Sequence, residues 1–233
     1  MNMHGARNRI DRGLILLVGP AMVLNLFLIF YHAPVERTMG LVQKIFYIHV
    51  PAAWVAFLAF FVVFAASIAY LASRRASYDR LAEASAAVGV LFCTLVLATG
   101  PIWAKPVWGI WWTWDARLTS TLVLWFLYIG YLLLRSYVPD AARRATLSAV
   151  LGIVGFLDVP IVYLSIRWWR TQHPSPVFAG GEGSGLDPRM RAAFFYSLAV
   201  FTLLFVVLLR LRMRLRAAEG RAEALLDERR RSL

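Results

Sequence analysis

The chain is poor in charged residues. Only 16% of its 233 residues are Asp, Glu, Lys or Arg, whereas 60% are hydrophobic. This leaves too little polar surface to cover a water-soluble globule, so the composition predicts a membrane protein. The formal net charge of +12 would also suit nucleic-acid binding, but the basic residues form short clusters between long apolar runs instead of lining one polar face. We therefore expect no nucleic-acid partner and attribute the charge to membrane topology.

The chain also lacks cysteine pairs and a phosphate-binding loop. Its only cysteine, Cys93, lies inside an apolar run, which excludes a disulfide, a zinc knuckle and a covalent Cys-x-x-Cys-His haem site within this chain. The glycine-rich stretch 180–185 has no preceding strand and no following Lys-Ser or Lys-Thr pair, so we interpret it as a flexible loop. Any haem must be held non-covalently, and any ATP hydrolysis must come from another chain.

Long apolar runs dominate what is present. A helix needs roughly 20 apolar residues to cross the hydrocarbon core, and six stretches qualify. They cover residues 14–31, 50–71, 84–102, 118–134, 145–166 and 192–209. The first run is too long for a signal peptide and lacks a clear cleavage site, so we keep it as a span. The predicted fold is an all-α, polytopic bundle of six transmembrane helices.

The distribution of basic residues predicts the topology of this bundle. Seventeen Lys and Arg residues lie on the side of the two termini and eight lie on the other side. The positive-inside rule then places both termini in the cytoplasm and the outer loops, about 32–49, 103–117 and 167–191, in the periplasm. We expect residues 1–216 to form the membrane domain. Residues 217–233 are expected to form a cytoplasmic tail, as a helix that lies on the membrane surface or projects from it.

The second outer loop is unusually rich in tryptophan. Five of the nine tryptophans fall within twelve residues, at positions 103, 108, 111, 112 and 114. Pro106 suits a helix start, and a helix would place four residues at i, i+3, i+4 and i+7 on one face. These are Trp108, Trp111, Trp112 and Asp115. The pattern predicts an amphipathic aromatic platform edged by an acid, and the alternative is an interfacial aromatic belt.

Two histidines are predicted to lie on the same membrane side as these tryptophans. His49 stands just before Pro51, and His173 follows two tryptophans in the third outer loop. Neutral imidazoles are common axial ligands of haem iron, and two of them from separate loops would clamp the metal. A lone interfacial histidine is also often a plain hydrogen-bonding group. His32 is a competing ligand that we rank third, whereas His4 lies on the opposite side.

Other polar residues complete the candidate site. Haem carries two propionates, and cations on the same side are available to contact them or to snorkel to the interface. They are Lys105, Arg117, Arg167 and Arg170. Asp158 lies within the fifth run, where a carboxylate needs a partner or water. Pro160 frees the carbonyl four residues earlier, so we predict a kink there.

These motifs resemble the tryptophan-rich "WWD" family of haem-handling proteins in cytochrome c biogenesis, in the branch of haem exporter protein C (CcmC). Residues 108–120 read Trp-Gly-Ile-Trp-Trp-Thr-Trp-Asp-Ala-Arg-Leu-Thr-Ser. The flanking matches are Tyr-Ile-His-Val-Pro-Ala-Ala at 47–53, Asp-Val-Pro at 158–160, and Trp168-Trp169 with His173. The resemblance covers about residues 37 to 210.

The resemblance implies a function and a set of partners. It implies non-covalent haem b with His49 and His173 as axial ligands, and a haem platform from Trp108 to Asp115 that includes Trp111, Trp112 and Trp114, with Arg117 beside it. It also implies a transfer role without catalysis, in the bacterial inner membrane. The implied partners are an ABC-type ATPase pair and membrane subunits, a small single-span subunit and a periplasmic haem chaperone (CcmE).

Two other functions remain open at this point. A quinone-linked b-type redox subunit would use histidines and aromatics, although its ligands are usually buried between helices at mid-membrane depth. A non-haem permease would use Asp158 and the helix breaks near Gly152, Gly155 and Pro160. The permease leaves the tryptophan-rich loop unexplained.

Overall fold

The computed structural model describes residues 3–169, 171–173 and 185–231 of the chain. These residues are almost entirely helical. The helices are α1 (Met3–Phe27), α2 (Phe46–Ser73), α3 (Ala76–Trp108), α4 (Ala116–Tyr137), α5 (Ala141–Phe156), α6 (Asp158–Trp168) and α7 (Pro188–Arg231). Arg170 and most of the glycine-rich stretch 180–185 lie outside the described residues.

Six helical segments are long and apolar enough to cross a membrane, which confirms the predicted all-α bundle of six spans. They are Ile10–His32, Leu41–Ser73, Ala76–Trp108, Ala116–Tyr137, Ala141–Trp168 and Pro188–Ala222. α2 lies centrally and packs against α3, α5 and α7, whereas α1 packs against α7 at the periphery. Many α1 side chains are therefore exposed in the isolated chain, as expected for a helix that faces lipid.

The centre of the bundle is held together by close approaches between helices. Gly89 of α3 lies against Phe60 of α2, where an added Cβ would stand 2.6 Å from the phenyl ring. The other face of that ring stacks on Tyr128 of α4, with 3.8 Å between the ring centroids. The Tyr128 hydroxyl donates to the carbonyl of Gly152 in α5, at 3.2 Å. Four helices thus meet at one aromatic pair, because the glycines leave room for the rings.

A buried lysine closes the end of the first span. The helix widens into a π-helical turn, Leu28–His32, whose last carbonyls have no partner within the helix. The ammonium of Lys44 donates to the carbonyls of three residues at 2.6, 3.0 and 3.1 Å, namely Ile29, Phe30 and Ala33. Three donors meet three acceptors, so this charge is solvated by backbone and fastens the first outer loop to the bundle.

The fifth span is broken at the position that the sequence predicts. α5 ends at Phe156, and α6 begins at Asp158 after the single turn residue Leu157. Pro160 is the third residue of α6 and has no N–H to donate to Phe156, so the α-helical ladder cannot continue through it. The break therefore lies where Pro160 predicts an interruption of the helix, and α4 packs against both α5 and α6.

The predicted helix across the tryptophan-rich loop is wrong. α3 continues through Pro106 to Trp108 and ends where Gly109 takes a left-handed conformation with φ of 77°. Residues 109–115 are not helical, and Asp115 is the N-cap of α4. A left-handed glycine ends a helix and an aspartate cap begins the next one, so the three following tryptophans stand on an extended connection and do not share a helix face.

The C-terminal tail continues the sixth span. α7 runs unbroken over 44 residues, so the helix passes through the predicted boundary between 216 and 217. Its first part packs against α1, α2 and α3. The tail is therefore an extension of the last transmembrane helix, as in the projecting alternative.

Candidate functional site

The candidate site lies at one end of the bundle. The chain alternates direction from span to span, so the N-terminal ends of α2, α4 and α7 lie at the same end as the C-terminal ends of α3 and α6. All three tryptophan- and histidine-bearing loops therefore meet there. Close contacts confirm this proximity, because α3 packs against the short 3-10 turn Leu41–Ile45 and α4 packs against α6.

His49 is buried in the first turns of α2, and one ring nitrogen is already engaged. Its Nδ1 lies 2.9 Å from the hydroxyl oxygen of Thr99 on α3. That hydroxyl donates its own hydrogen to the carbonyl of Leu95, at 2.7 Å, so its oxygen accepts from His49. We therefore assign the imidazole proton to Nδ1 from this hydrogen-bond network, which leaves the lone pair of Nε2 available. This is the form in which a histidine ligates iron through Nε2.

An aromatic wall and a glycine complete the surroundings of His49. The indole of Trp103 meets the imidazole edge-to-face, with 5.8 Å between the ring centroids. Trp103 also contacts Phe46 in a similar arrangement. On the α3 side, Gly100 presents no side chain, and even an added Cβ would stand 3.5 Å from the imidazole Cε1. The ring is thus held in one orientation by packing as well as by Thr99.

The structure brings the second predicted histidine toward the first. His173 and Arg117 both lie near enough to His49 for their charges to act on its imidazole. The backbone N–H of His173 donates to the Thr171 hydroxyl at 3.1 Å, which shapes the turn that carries it. His173 in the third outer loop therefore contributes to the electrostatic surroundings of His49 at the start of α2, and their joint role as ligands remains a prediction. By contrast, His32 is exposed at the end of the π-helical turn.

The tryptophans of the second loop form an exposed aromatic surface. Trp111 is 57% exposed and Trp114 is 75% exposed, and the rings of Trp112 and Trp114 lie edge-to-face at 5.7 Å. Trp108 is also exposed at the end of α3. The ammonium of Lys105 lies 6.0 Å from the centre of the Trp111 ring and donates to the Gly109 carbonyl at 2.8 Å. So much exposed apolar ring area at one site marks a surface for a ligand, a lipid or a protein.

Asp115 organises this loop from within. One carboxylate oxygen accepts from the backbone N–H groups of Arg117 and Leu118, both at 3.0 Å. The other oxygen accepts from the Thr113 hydroxyl at 2.9 Å. Both oxygens are therefore occupied by the loop and by the first turn of α4. The predicted contact of Asp115 with a cofactor remains a prediction.

Two of the buried donors at this end belong to the tryptophan-rich loop and to the first turn of α4. Trp112 Nε1 and Arg117 Nη1 are shielded from solvent and find no hydrogen-bond partner among the described residues. A buried donor left unpaired costs about 1–3 kcal/mol, so both groups suit an acceptor that the described residues do not supply. The propionates of a haem are such acceptors. The unprotonated Nε2 of His49 and the tryptophan faces suit its iron and its ring, so the residues present fit this group.

The remaining predicted polar residues are less well placed. Arg167 is exposed beside Trp168 at the end of α6, and Arg170 lies outside the described residues. Asp158 has one buried carboxylate oxygen, Oδ2, without a hydrogen-bond partner in the described part of the chain. The partner or water that the sequence argument required for Asp158 is therefore not found among these side chains.

Two residues of the site escaped the sequence analysis. Thr99 was missed because its role depends on the pairing of α2 with α3, and a threonine within an apolar run carries no signal of its own. Tyr163 on α6 lies near enough to Arg117 to interact with it electrostatically. A tyrosine four residues before Arg167 in the same helix gives no such indication.

The chain is similar to known proteins of one family. The family model described as heme exporter protein C matches residues 3–227. Heme exporter protein C of Bradyrhizobium diazoefficiens is 41% identical over 177 residues, which cover 76% of this chain and 67% of that protein. Heme exporter protein C of Escherichia coli K12 is 35% identical, covering 79% and 74%. A putative ccmC-like mitochondrial cytochrome c biosynthesis protein of Marchantia polymorpha is 34% identical, covering 78% and 79%.

Proposed function

Since the chain belongs to the heme exporter protein C family, we propose that it binds haem at the periplasmic face and delivers it to a periplasmic haem chaperone. The chain is a multi-pass protein of the bacterial inner membrane, with six helices able to span it. Its family is a transport subunit of cytochrome c maturation, so its task is to hold and pass on haem. We propose no catalytic residue.

The observation that carries this proposal is the state of His49. Its Nδ1–H is bonded to Thr99 at 2.9 Å, so Nε2 presents a lone pair beside His173. Bound haem b would supply an iron that accepts an imidazole nitrogen on each face. His49 and His173 are the proposed axial ligands, with Trp108, Trp111, Trp112 and Trp114 against the macrocycle.

Charged and polar groups orient the proposed ligand. Arg117 Nη1 and Trp112 Nε1 are buried donors without partners among the described residues, so we assign them to the propionates. Asp115 keeps its capping role and positions Arg117 from two residues away. The exposed rings of Trp111 and Trp114 leave one edge of this site open to a partner protein.

The partners that we propose are those implied by membership of the heme exporter protein C family. They are an ABC-type ATPase pair with membrane subunits and a small single-span subunit, and the lack of a phosphate-binding loop in this sequence is compatible with ATP hydrolysis by another chain. The haem chaperone (CcmE) is the proposed recipient. The excess of basic residues on the terminal side supports the proposed cytoplasmic location of both termini. A b-type redox subunit is disfavoured, because His49 lies in the first turns of α2 and not at mid-span.

Single histidine variants of the purified protein test the proposal by absorption spectroscopy and a haem assay. We expect the parent protein to hold low-spin haem, because imidazole on both faces leaves no open site on the iron. His49→Ala and His173→Ala should each hold haem less tightly and lose the low-spin spectrum, and added imidazole should restore it. His32→Ala is the matched control and should keep the parent spectrum.

Two results would overturn the assignment. A parent protein that neither contains nor takes up haem would remove the proposed function. If both histidine variants keep the parent spectrum without imidazole while His32→Ala loses it, the first outer loop supplies the ligand through His32.

A further inference from the structure

A cavity of about 700 Å³ opens at the opposite end of the bundle from His49. It lies where α2 and α4 end and where α3 and α5 begin, with the extension of α7 along one side. These helix ends are also the ends of apolar spans. The cavity is therefore at the depth where the hydrocarbon core gives way to lipid headgroups.

Arginines dominate the charged lining of this cavity. Six arginines line it against three acids: Arg74, Arg80, Arg135, Arg144, Arg212 and Arg216 against Asp79, Glu83 and Glu219. The acids are already used by two of these cations. Arg135 contacts Asp79 at 2.6 Å and Glu83 at 3.3 Å, and Arg216 pairs with Glu83 and Glu219. The lining therefore keeps an excess of positive charge.

Arg212 carries a buried donor that a ligand in the cavity could satisfy. Its Nε is buried and has no hydrogen-bond partner among the described residues. Its orientation is set by neighbours on α7, because Arg210 and Arg214 both pair with Asp11 of α1. Arg212 shares its helix face with Arg216, four residues on, and this face lines the cavity. Arg80 lies across from it on α3, also without an ion pair in the described part of the chain.

Most of the other residues that line the cavity are apolar. Tyr70, Ala87, Leu132 and Ala145 contribute to it, so the cavity joins a cationic rim to a hydrophobic wall. A soluble anion would use only the rim. An amphiphile with a phosphate next to an acyl chain would use both, and basic pockets between transmembrane helices are suited to such lipids.

We propose that this cavity binds an anionic phospholipid, with its phosphate held by Arg212 and Arg80 and its acyl chain against the apolar wall. The lipid would fill the space between the α7 extension and the ends of α3, α4 and α5. This site does not depend on haem binding at the other end.

Native mass spectrometry of the full-length protein tests the site with two probes, phosphatidylglycerol and phosphatidylcholine. The parent protein should bind phosphatidylglycerol about tenfold more tightly, since both lipids carry a phosphate but the choline cation of phosphatidylcholine is repelled by the excess positive charge of the lining. The double variant Arg80→Gln/Arg212→Gln should lose that preference. The matched control is Arg75→Gln/Arg143→Gln, which removes two exposed arginines at the same end that do not line the cavity. It should keep the preference.

Each other outcome is decisive. An equal loss in the control would overturn the proposal, because general surface charge would then explain the binding. Displacement of phosphatidylglycerol by glycerol 3-phosphate would assign the cavity to a soluble phosphate, and displacement by haem would make it a haem site. If the double variant fails to fold, Arg80→Gln alone must lower the preference, and an unchanged preference there contradicts the lipid site.

Discussion

Each end of α4 carries an arginine, and the two arginines differ in their hydrogen bonds. Near the C-terminal end, Arg135 places one guanidinium nitrogen 2.6 Å and the other 2.8 Å from the two carboxylate oxygens of Asp79. Near the N-terminal end, Arg117 keeps a buried Nη1 without a partner among the described residues. The helix dipole favours a cation at the C-terminal end, where Arg135 lies, and disfavours one at the N-terminal end, where Arg117 lies. Arg135 at one end thus joins helices through paired charge, whereas Arg117 at the other end keeps a donor that the described residues do not satisfy.

The largest effect should be on stability, and it should come from removing the ion pairs of Arg135 with Asp79 and Glu83. Arg135→Gln leaves Asp79 and Glu83 without their shared cation, with exposed side-chain fractions of 18% and 10%. Removing one partner of a buried ion pair costs about 3 kcal/mol at the low end of the usual range. We expect a lower midpoint of thermal unfolding in detergent. Adding Asp79→Asn should recover part of the loss, and a variant as stable as the parent would contradict the structural role of this pair.

The next effect should come from the residue that orients His49. Thr99→Val keeps the shape of the side chain but removes the acceptor of the Nδ1–H. Loss of such a supporting hydrogen bond typically weakens a metal site about 10–100-fold. We expect weaker haem binding and a shifted absorption spectrum in titrations, and a lower unfolding temperature because the buried Nδ1–H loses its acceptor. Thr99→Ser restores the hydroxyl and should restore the parent spectrum; if valine and serine behave alike, Thr99 has only a packing role.

The smallest effect should come from Arg117. Its replacement should lower haem affinity and leave stability intact, whereas replacement of Arg135 should lower stability. Arg117→Gln removes a charge-assisted hydrogen bond to the proposed propionate, so haem affinity should fall about tenfold. Without haem the variant should unfold at or above the parent temperature, because an unpaired donor has been removed. Haem titration and thermal unfolding of the haem-free protein measure the two quantities. If the variant is destabilised and its haem affinity is unchanged, Arg117 has a structural role like that of Arg135.

Much of the fold could be predicted because the bilayer imposes simple rules on the chain. Six apolar runs predict six spans since each must satisfy its backbone internally, and the break before Asp158 follows from the missing N–H of Pro160. The helix across residues 106–115 was mispredicted although Gly109 and Asp115 are typical helix-terminating and helix-starting residues. These two caps end one helix and begin the next, and they override the helical spacing of the tryptophans.

Local patterns in the chain account for the six spans and for the end of the bundle to which His49, His173 and the tryptophans belong. These properties depend on neighbours in the chain or on burial in lipid. The hydrogen-bond partner of His49 and the pairing of the arginines depend instead on tertiary packing. Thr99 reaches His49 from 50 positions away, and Asp79 reaches Arg135 from 56. Such contacts arise from the packing of separate helices, so no local pattern in the sequence predicts them.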